Sequence, residues 1–222
     1  MLKADLHVHS GASPDGAGTV DDVLSSAVEH GLDAVAVTDH DNLGASLDAV
    51  DAAEDYEVLA LPGVEVTSEI GHVLALGVEE PIAPRRPIEE TVEAIREAGG
   101  VAVIPHPFQQ ARHGVGAVAD CDGVETFNSR LITGRGNRQA DAFADEQGLP
   151  KLAGSDAHTP AMVGRAYTEI DAEPTRDAIL DAIREGRTTP AGTRTPLLTS
   201  LKQFLGNRRR PLPTILWTYL FG

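Results

Sequence analysis

His7-Val8-His9, Asp39-His40, Glu65, His106-Pro107 and Asp156-Ala157-His158 place imidazole and carboxylate groups in five short, widely separated segments. This donor set suits zinc, manganese or iron, and residues so scattered but so alike in chemistry are expected to meet in space. Thiolate plays no part, because Cys121 is the only cysteine. One cysteine excludes an internal disulfide framework and fits a reducing compartment. Glu65, a carboxylate among several imidazoles, can bridge two ions and offset their repulsion. Two-metal centres of that kind are a common solution for phosphate-ester chemistry.

The elements that must position these groups read as alternating strands and helices. Apolar runs at 3–7, Ala34–Thr38, Val58–Leu61, Val73–Gly77, Val101–Ile104, Val124–Phe127, Lys151–Ala153 and Tyr167–Ile170 are bounded by Gly, Pro or Asp, as buried strands are. Helical periodicity fills most gaps. Val20, Val23, Leu24, Ala27 and Val28 share a face opened by a Thr19/Asp22 capping pair and closed by Gly31. Pro87 starts a second helix that ends before Gly99-Gly100, and Asn137–Gln147 and Thr175–Glu185 repeat the design. Repeated βα units predict an α/β fold with a mainly parallel sheet, open or closed into a barrel. The candidate ligands then fall at C-terminal strand ends, the face where α/β barrels build active sites. His7 and His9, two apart on one strand, point to the same side.

The 222 residues suffice for one sizeable core. All 34 acids and 13 of the 18 Lys and Arg lie in residues 1–189, which carry a net charge of −21. Such a surface repels polyanions at long range, so stable binding of duplex nucleic acid is not expected. Because the acids are spread along the whole domain, the pattern reads as an acidic proteome adapted to salt, where screening over about 3 Å at 1 M tolerates dense charge. No positively charged start followed by a long apolar run opens the chain, and the expected location is the cytoplasm.

The motifs together resemble the PHP (polymerase and histidinol phosphatase) metallo-phosphoesterases. The resemblance rests on Asp5-Leu6-His7-Val8-His9-Ser10, Ser13-Pro14-Asp15-Gly16, Thr38-Asp39-His40-Asp41, Gly63-Val64-Glu65-Val66-Thr67, Pro105-His106-Pro107 and Gly154-Ser155-Asp156-Ala157-His158-Thr159. It covers roughly residues 1–190 and implies a distorted (β/α)7 TIM-like barrel there, followed by a separate tail at 191–222. It also implies two or three divalent ions, manganese, zinc or iron. His7, His9, Glu65 and Asp156 would hold the first ion and carry catalysis through a metal-activated hydroxide; Glu65 and His106 would hold the second, and Asp15, His40 and His158 the third. Many relatives place another ligand histidine after the strand matching Val124–Phe127, where this chain has none. Water, Asn128 or Glu125 would complete the second ion.

The implied activity is hydrolysis of a phosphate ester. The compact branch of the family points to a nucleotide or short RNA, as in 3′,5′-bisphosphate phosphatases and 5′-to-3′ exoribonucleases. Histidinol phosphate and a non-catalytic regulatory domain are the alternatives. The interval between Glu65 and His106 is shorter than in those relatives, which predicts a more open pocket. Arg112, Arg130 and Arg165 are candidate phosphate contacts, because guanidinium groups fit phosphate in fork geometry. His113 is a candidate contact to the leaving group. Asp39 is expected to orient a ligand imidazole, and Asn128 to support the centre. His72 reads as structural or supporting, His30 as a helix-end residue and Cys121 as packing.

From Pro190 onward the chain has five basic residues and no acid. Leu197, Leu198, Leu201, Phe204 and Leu205 fall on one face of an amphipathic helix. Docking on the body or on a second subunit, peripheral membrane contact, and a flexible end all remain open for this tail.

Overall fold

The computed structural model describes residues 1–109 and 113–196; Arg112 and the tail from 197 lie outside the described residues. In chain order the elements are β1 (Leu2–Val8), α1 (Val20–Glu29), β2 (Ala34–Val37), α2 (Gly44–Ala52), β3 (Leu59–Ala60), β4 (Gly63–Thr67), β5 (His72–Leu76), α3 (Ile88–Glu97), β6 (Val101–Ile104), β7 (Gly123–Asn128), α4 (Arg135–Gln147), β8 (Lys151–Gly154), β9 (Ala166–Ile170), α5 (Arg176–Arg184) and β10 (Thr188–Gly192). Thr19 and Asp22 form the expected capping box at α1, and Thr175 caps α5. Gly148 ends α4 in the left-handed conformation that glycine adopts without Cβ strain.

The strands form two five-stranded sheets, β10-β9-β1-β2-β3 and β4-β5-β6-β7-β8. The fold is therefore α/β, but the described ladders do not close into one barrel. Two single bridges, Val8 to Ala157 and His40 to Glu65, join the sheets. Nor is the pairing mainly parallel. β1–β2, β2–β3, β6–β7 and β7–β8 are parallel, whereas β1–β9, β9–β10, β4–β5 and β5–β6 are antiparallel. For β4–β5 the physical reason is the short connection at Ser68–Gly71, which is long enough for a hairpin and too short for a helical crossover. Glu65 consequently sits in the middle of its own strand, β4, rather than after the Val58–Leu61 run. β10 escapes sequence patterning because Pro190 interrupts it, and it occurs where proline is tolerated, at a sheet edge.

Strand alternation sorts side chains into an inner and two outer layers. Ala34, Ala36, Leu74, Leu76, Val101 and Val103 face a common interior that α5 fills with Ile179, Leu180 and Ile183. Their neighbours Val35 and Val37 meet α1 and α2 on one outside, and Val73, Ala75, Ala102 and Ile104 meet α3 and α4 on the other. Gly77 has φ +81°, and a Cβ there would lie 2.4 Å from Leu180, so glycine lets α5 seat against the interior. The apolar plug leaves the strand ends that carry the histidines as the polar end of the fold.

Ile183 is fully buried in this plug. Ile183→Ala is expected to destabilise the protein by about 2–5 kcal/mol in urea unfolding. A loss under about 1 kcal/mol would contradict the plugged interior.

Candidate metal centre

The two sheets meet where their site residues meet. β1 holds one more residue than β2 between Asp5 and Val8, and it delivers His7 and His9 at its end. The His9 amide then donates to the Ala157 carbonyl at 2.7 Å, which ties the first motif to the last. Asp15 reaches the same point through a loop that folds back so closely that a Cβ on Gly16 would lie 2.0 Å from the Ser10 carbonyl. His40 bridges to Glu65 in parallel register. His106 and Asp156 have left-handed backbones, φ +32° and +50°, which cost L-residues of order 1–2 kcal/mol and persist where surrounding contacts fix them. One such contact is the His106 amide donating to Glu125 Oε2 at 3.0 Å.

Glu65 is the hub. Its Oε2 lies 3.2 Å from His9 Nε2, 3.5 Å from His7 Nε2 and 3.1 Å from His40 Nδ1. Oε1 lies 2.8 Å from His72 Nδ1 and 3.3 Å from His106 Nε2. Asp156 Oδ1 stands 3.2 Å from His158 Nδ1, 3.6 Å from His9 Nε2 and 3.8 Å from His7 Nε2. Asp15 approaches His158 at 3.0 Å and His40 at 3.7 Å.

Burial opposes charge on all of these groups, and the neighbours decide the outcome. Burial raises the Glu65 carboxyl, but His72, His40 and His7 outweigh it and hold the group well below its ordinary value. Asp156 is held low against burial chiefly by Arg130 and His7. His7 is raised well above the usual imidazole value because Glu125, Glu65 and Asp156 overcome its burial. His40 reaches about 9 through Glu65 and Asp15 despite burial. Burial, reinforced by His158, pushes His9 down to about 3. Such opposed shifts within one buried cluster are the kind that functional sites concentrate.

The donor set fits divalent cations. Four groupings offer ligand atoms within 4.8 Å of one another: His9, Asp15, His40 and His158; His7, His106 and Asp156; His7, His9 and Glu65; His40, Glu65 and His72. His7 and His9 aim their Nε2 atoms at each other at 3.2 Å, a geometry in which both nitrogens address one point. All eight ligand candidates read from the sequence therefore converge.

Other expectations fare differently. Asp39 accepts from the Ser10 amide at 2.8 Å and hydroxyl at 2.6 Å, so it pins the chain after His9 instead of an imidazole. Asn128 donates to Asp156 Oδ2 at 3.2 Å. Arg130 lies at the centre, 3.2 Å from His158 Nε2, and lines the small cavity over it, as does His113. His113 lies 4.8 Å from His72, ring centroid to centroid and tilted by 58°, and burial lowers it to about 4. Arg165 does not line that cavity; its Nε is buried elsewhere, beside the turn that leads into β9. His30 bonds the Ser26 carbonyl at the end of α1. His72, read from the sequence as structural or supporting, touches Glu65 directly, and Glu125, read as one way to complete the second ion, instead meets His7 Nδ1 and the His106 amide. Strand alternation carried a signal for His72, because it faces Thr67 across the β4–β5 hairpin, two residues from Glu65.

Residues 5–131 match the PHP domain model, and residues 134–188 match a second model, described as PHP-associated. The chain belongs to the PHP family. An uncharacterized protein of Methanocaldococcus jannaschii is 31% identical over 141 residues, covering 58% of this chain and 82% of its own. A 3′,5′-nucleoside bisphosphate phosphatase of Chromobacterium violaceum is 36% identical over 101 residues, 44% of this chain and 34% of the relative. Among solved structures, a two-domain protein from Bacteroides vulgatus containing a predicted PHP-like metal-dependent phosphoesterase superposes with TM-score 0.75 at 20% identity, over 93% of this chain and 69% of that one. This PHP chain is a metal-dependent phosphoesterase, and it carries His/Asp/Glu clusters that could hold divalent ions.

In chelator, the raised His40 imidazole contributes stability that is fully present below the unfolded value of 6.5 and lost as pH rises through about 9. Wild type should therefore exceed His40→Gln by up to about 2–3 kcal/mol near pH 6, and the gap should close by pH 10 in urea unfolding. A gap that widens with pH would refute this assignment.

Proposed function

We propose that this PHP chain hydrolyses phosphate esters of a nucleotide or short oligonucleotide at the Glu65 centre. The observation that carries the reading is one buried carboxylate facing five imidazoles beneath a cavity lined by Arg130. His7, His9, Glu65 and Asp156 would hold a first ion, and Asp15, His40 and His158, with His9 close by, a third. For the second ion, Glu65 Oε1 faces both His106 and His72. His72 would thus take the place of the histidine that is lacking after β7. Manganese, zinc and iron all suit this set.

Bound divalent ions supply Lewis acidity toward phosphoryl oxygens and an acidified water at neutral pH. The chain's own groups do the rest. Arg130, fixed beside Asp156 and His158, would bring its guanidinium to a phosphate oxygen in a charge-assisted contact. His113, kept neutral by burial, would face the leaving group without adding charge. Glu65 and Asp156, held ionised by their neighbours, would keep the ligand oxygens deprotonated at any physiological pH. The similarity to a nucleoside bisphosphate phosphatase supports a nucleotide over histidinol phosphate.

Metal-loaded protein is expected to release inorganic phosphate or mononucleotides from a panel of nucleoside bisphosphates, sugar phosphates and short RNA. His7→Ala and Asp156→Ala should each lower kcat/KM more than about 100-fold, beyond the 10–100-fold typical of supporting groups. Arg130→Ala should raise KM about 10-fold or more, the worth of a charge-assisted contact. Turnover equal in wild type and Asp156→Ala would sink the reading.

A further inference from the structure

Glu125 is a buried acid that stands one layer behind the metal centre, 2% exposed. β7 would by simple alternation turn residues 125 and 127 to one side, but a bulge against β8 adds a residue between Glu125 and Phe127. Asn128 therefore shares the inner side with Glu125, and its amide donates to Glu125 Oε2 at 2.8 Å. The same oxygen accepts the His106 amide at 3.0 Å. Oε1 lies 3.0 Å from His7 Nδ1. Asn128, so oriented, donates its other amide proton to Asp156. One carboxylate thus reaches three ligand segments, His7 directly, His106 through its strained backbone and Asp156 through Asn128. These three are themselves one of the metal-binding groupings.

The space for this contact is built by Gly154. A Cβ there would lie 2.3 Å from Glu125 Oε1 and 2.6 Å from His7 Cβ, so any larger residue would drive the pair apart.

We propose that Glu125 is a positioning residue and not a metal ligand: it holds the proton of His7 on Nδ1, leaves Nε2 free for the ion, and fixes the relative placement of His7, His106 and Asp156. Both of its oxygens are already engaged by protein donors, which is the geometry of an outer carboxylate on a ligand imidazole. The inference rests on the metal-centre reading above.

The test measures cobalt(II) affinity and the number of ions bound at saturation for wild type, Glu125→Ala, Glu125→Gln and Gly154→Ala. Binding no ion at all in wild type would fail the metal-centre reading itself and is distinct from any variant effect. All variants are expected to bind as many ions as wild type. Glu125→Ala should lose about 10–100-fold in affinity, and Glu125→Gln less, because its amide oxygen still accepts from His7. Gly154→Ala, whose Cβ would press on both Glu125 and His7, should weaken binding in the same direction. In zinc-loaded protein with ¹⁵N-histidine, the hydrogen-bonded Nδ1 proton of His7 should be present in wild type and lost in Glu125→Ala. One ion fewer at saturation in either Glu125 variant, with the others bound as in wild type, would make Glu125 a ligand and overturn the proposal. Unchanged affinity in both Glu125 variants would overturn it as well, and Glu125→Gln carries the test if the alanine variant does not fold.

Discussion

A carboxylate taken fully out of water must find positive charge or lose its own. Glu65 and Asp156 are buried at 1% and 3% exposure, and the cost of isolating such ions is several kcal/mol each. The fold meets that cost with imidazoles brought from strand ends that are remote in sequence. Nearly every local irregularity near the site serves this convergence: the extra residue in β1, the bulge in β7, and the left-handed backbones of His106 and Asp156. Strain of this kind persists only where neighbouring hydrogen bonds over-determine it.

The layered core explains how such a cluster stays rigid without a continuous barrel ladder. Helices cover the outside of each sheet, and α5 plugs the interior at the end away from the site. The two sheets are then held apart by packing and joined at the seams by site residues themselves, His40 to Glu65 and Val8 to the residue after Asp156. The bridges between the sheets therefore fall at ligand residues or their chain neighbours. Ligand binding is expected to stiffen the seams, since whatever binds the folded arrangement selectively also stabilises it.

The charge distribution adds a second constraint. A chain of net charge −16 repels phosphate at long range, and only a local concentration of cations can reverse that field. Arg130 and His40, whose imidazole is raised by Glu65 and Asp15, bring cationic groups to the cavity beside the carboxylates of Asp15, Glu65 and Asp156.

Much of this was legible before any coordinates. Strand and helix positions follow from apolar periodicity and capping chemistry, because those are local, and the eight ligand candidates follow from residue type and motif order. The contacts of His72 and Glu125 were not legible, since one depends on a hairpin register and the other on a bulge. The antiparallel β4–β5–β6 turn of the sheet and the Pro-containing β10 were hidden for a related reason: pairing direction depends on partners that no local pattern names. The amino-acid sequence by itself determined the donor chemistry, the α/β class and the family. Only the tertiary structure decided that five imidazoles share Glu65, that Asp39 serves Ser10, and that Glu125 stands behind His7, because distances of 3 Å between residues 118 positions apart are set by packing alone.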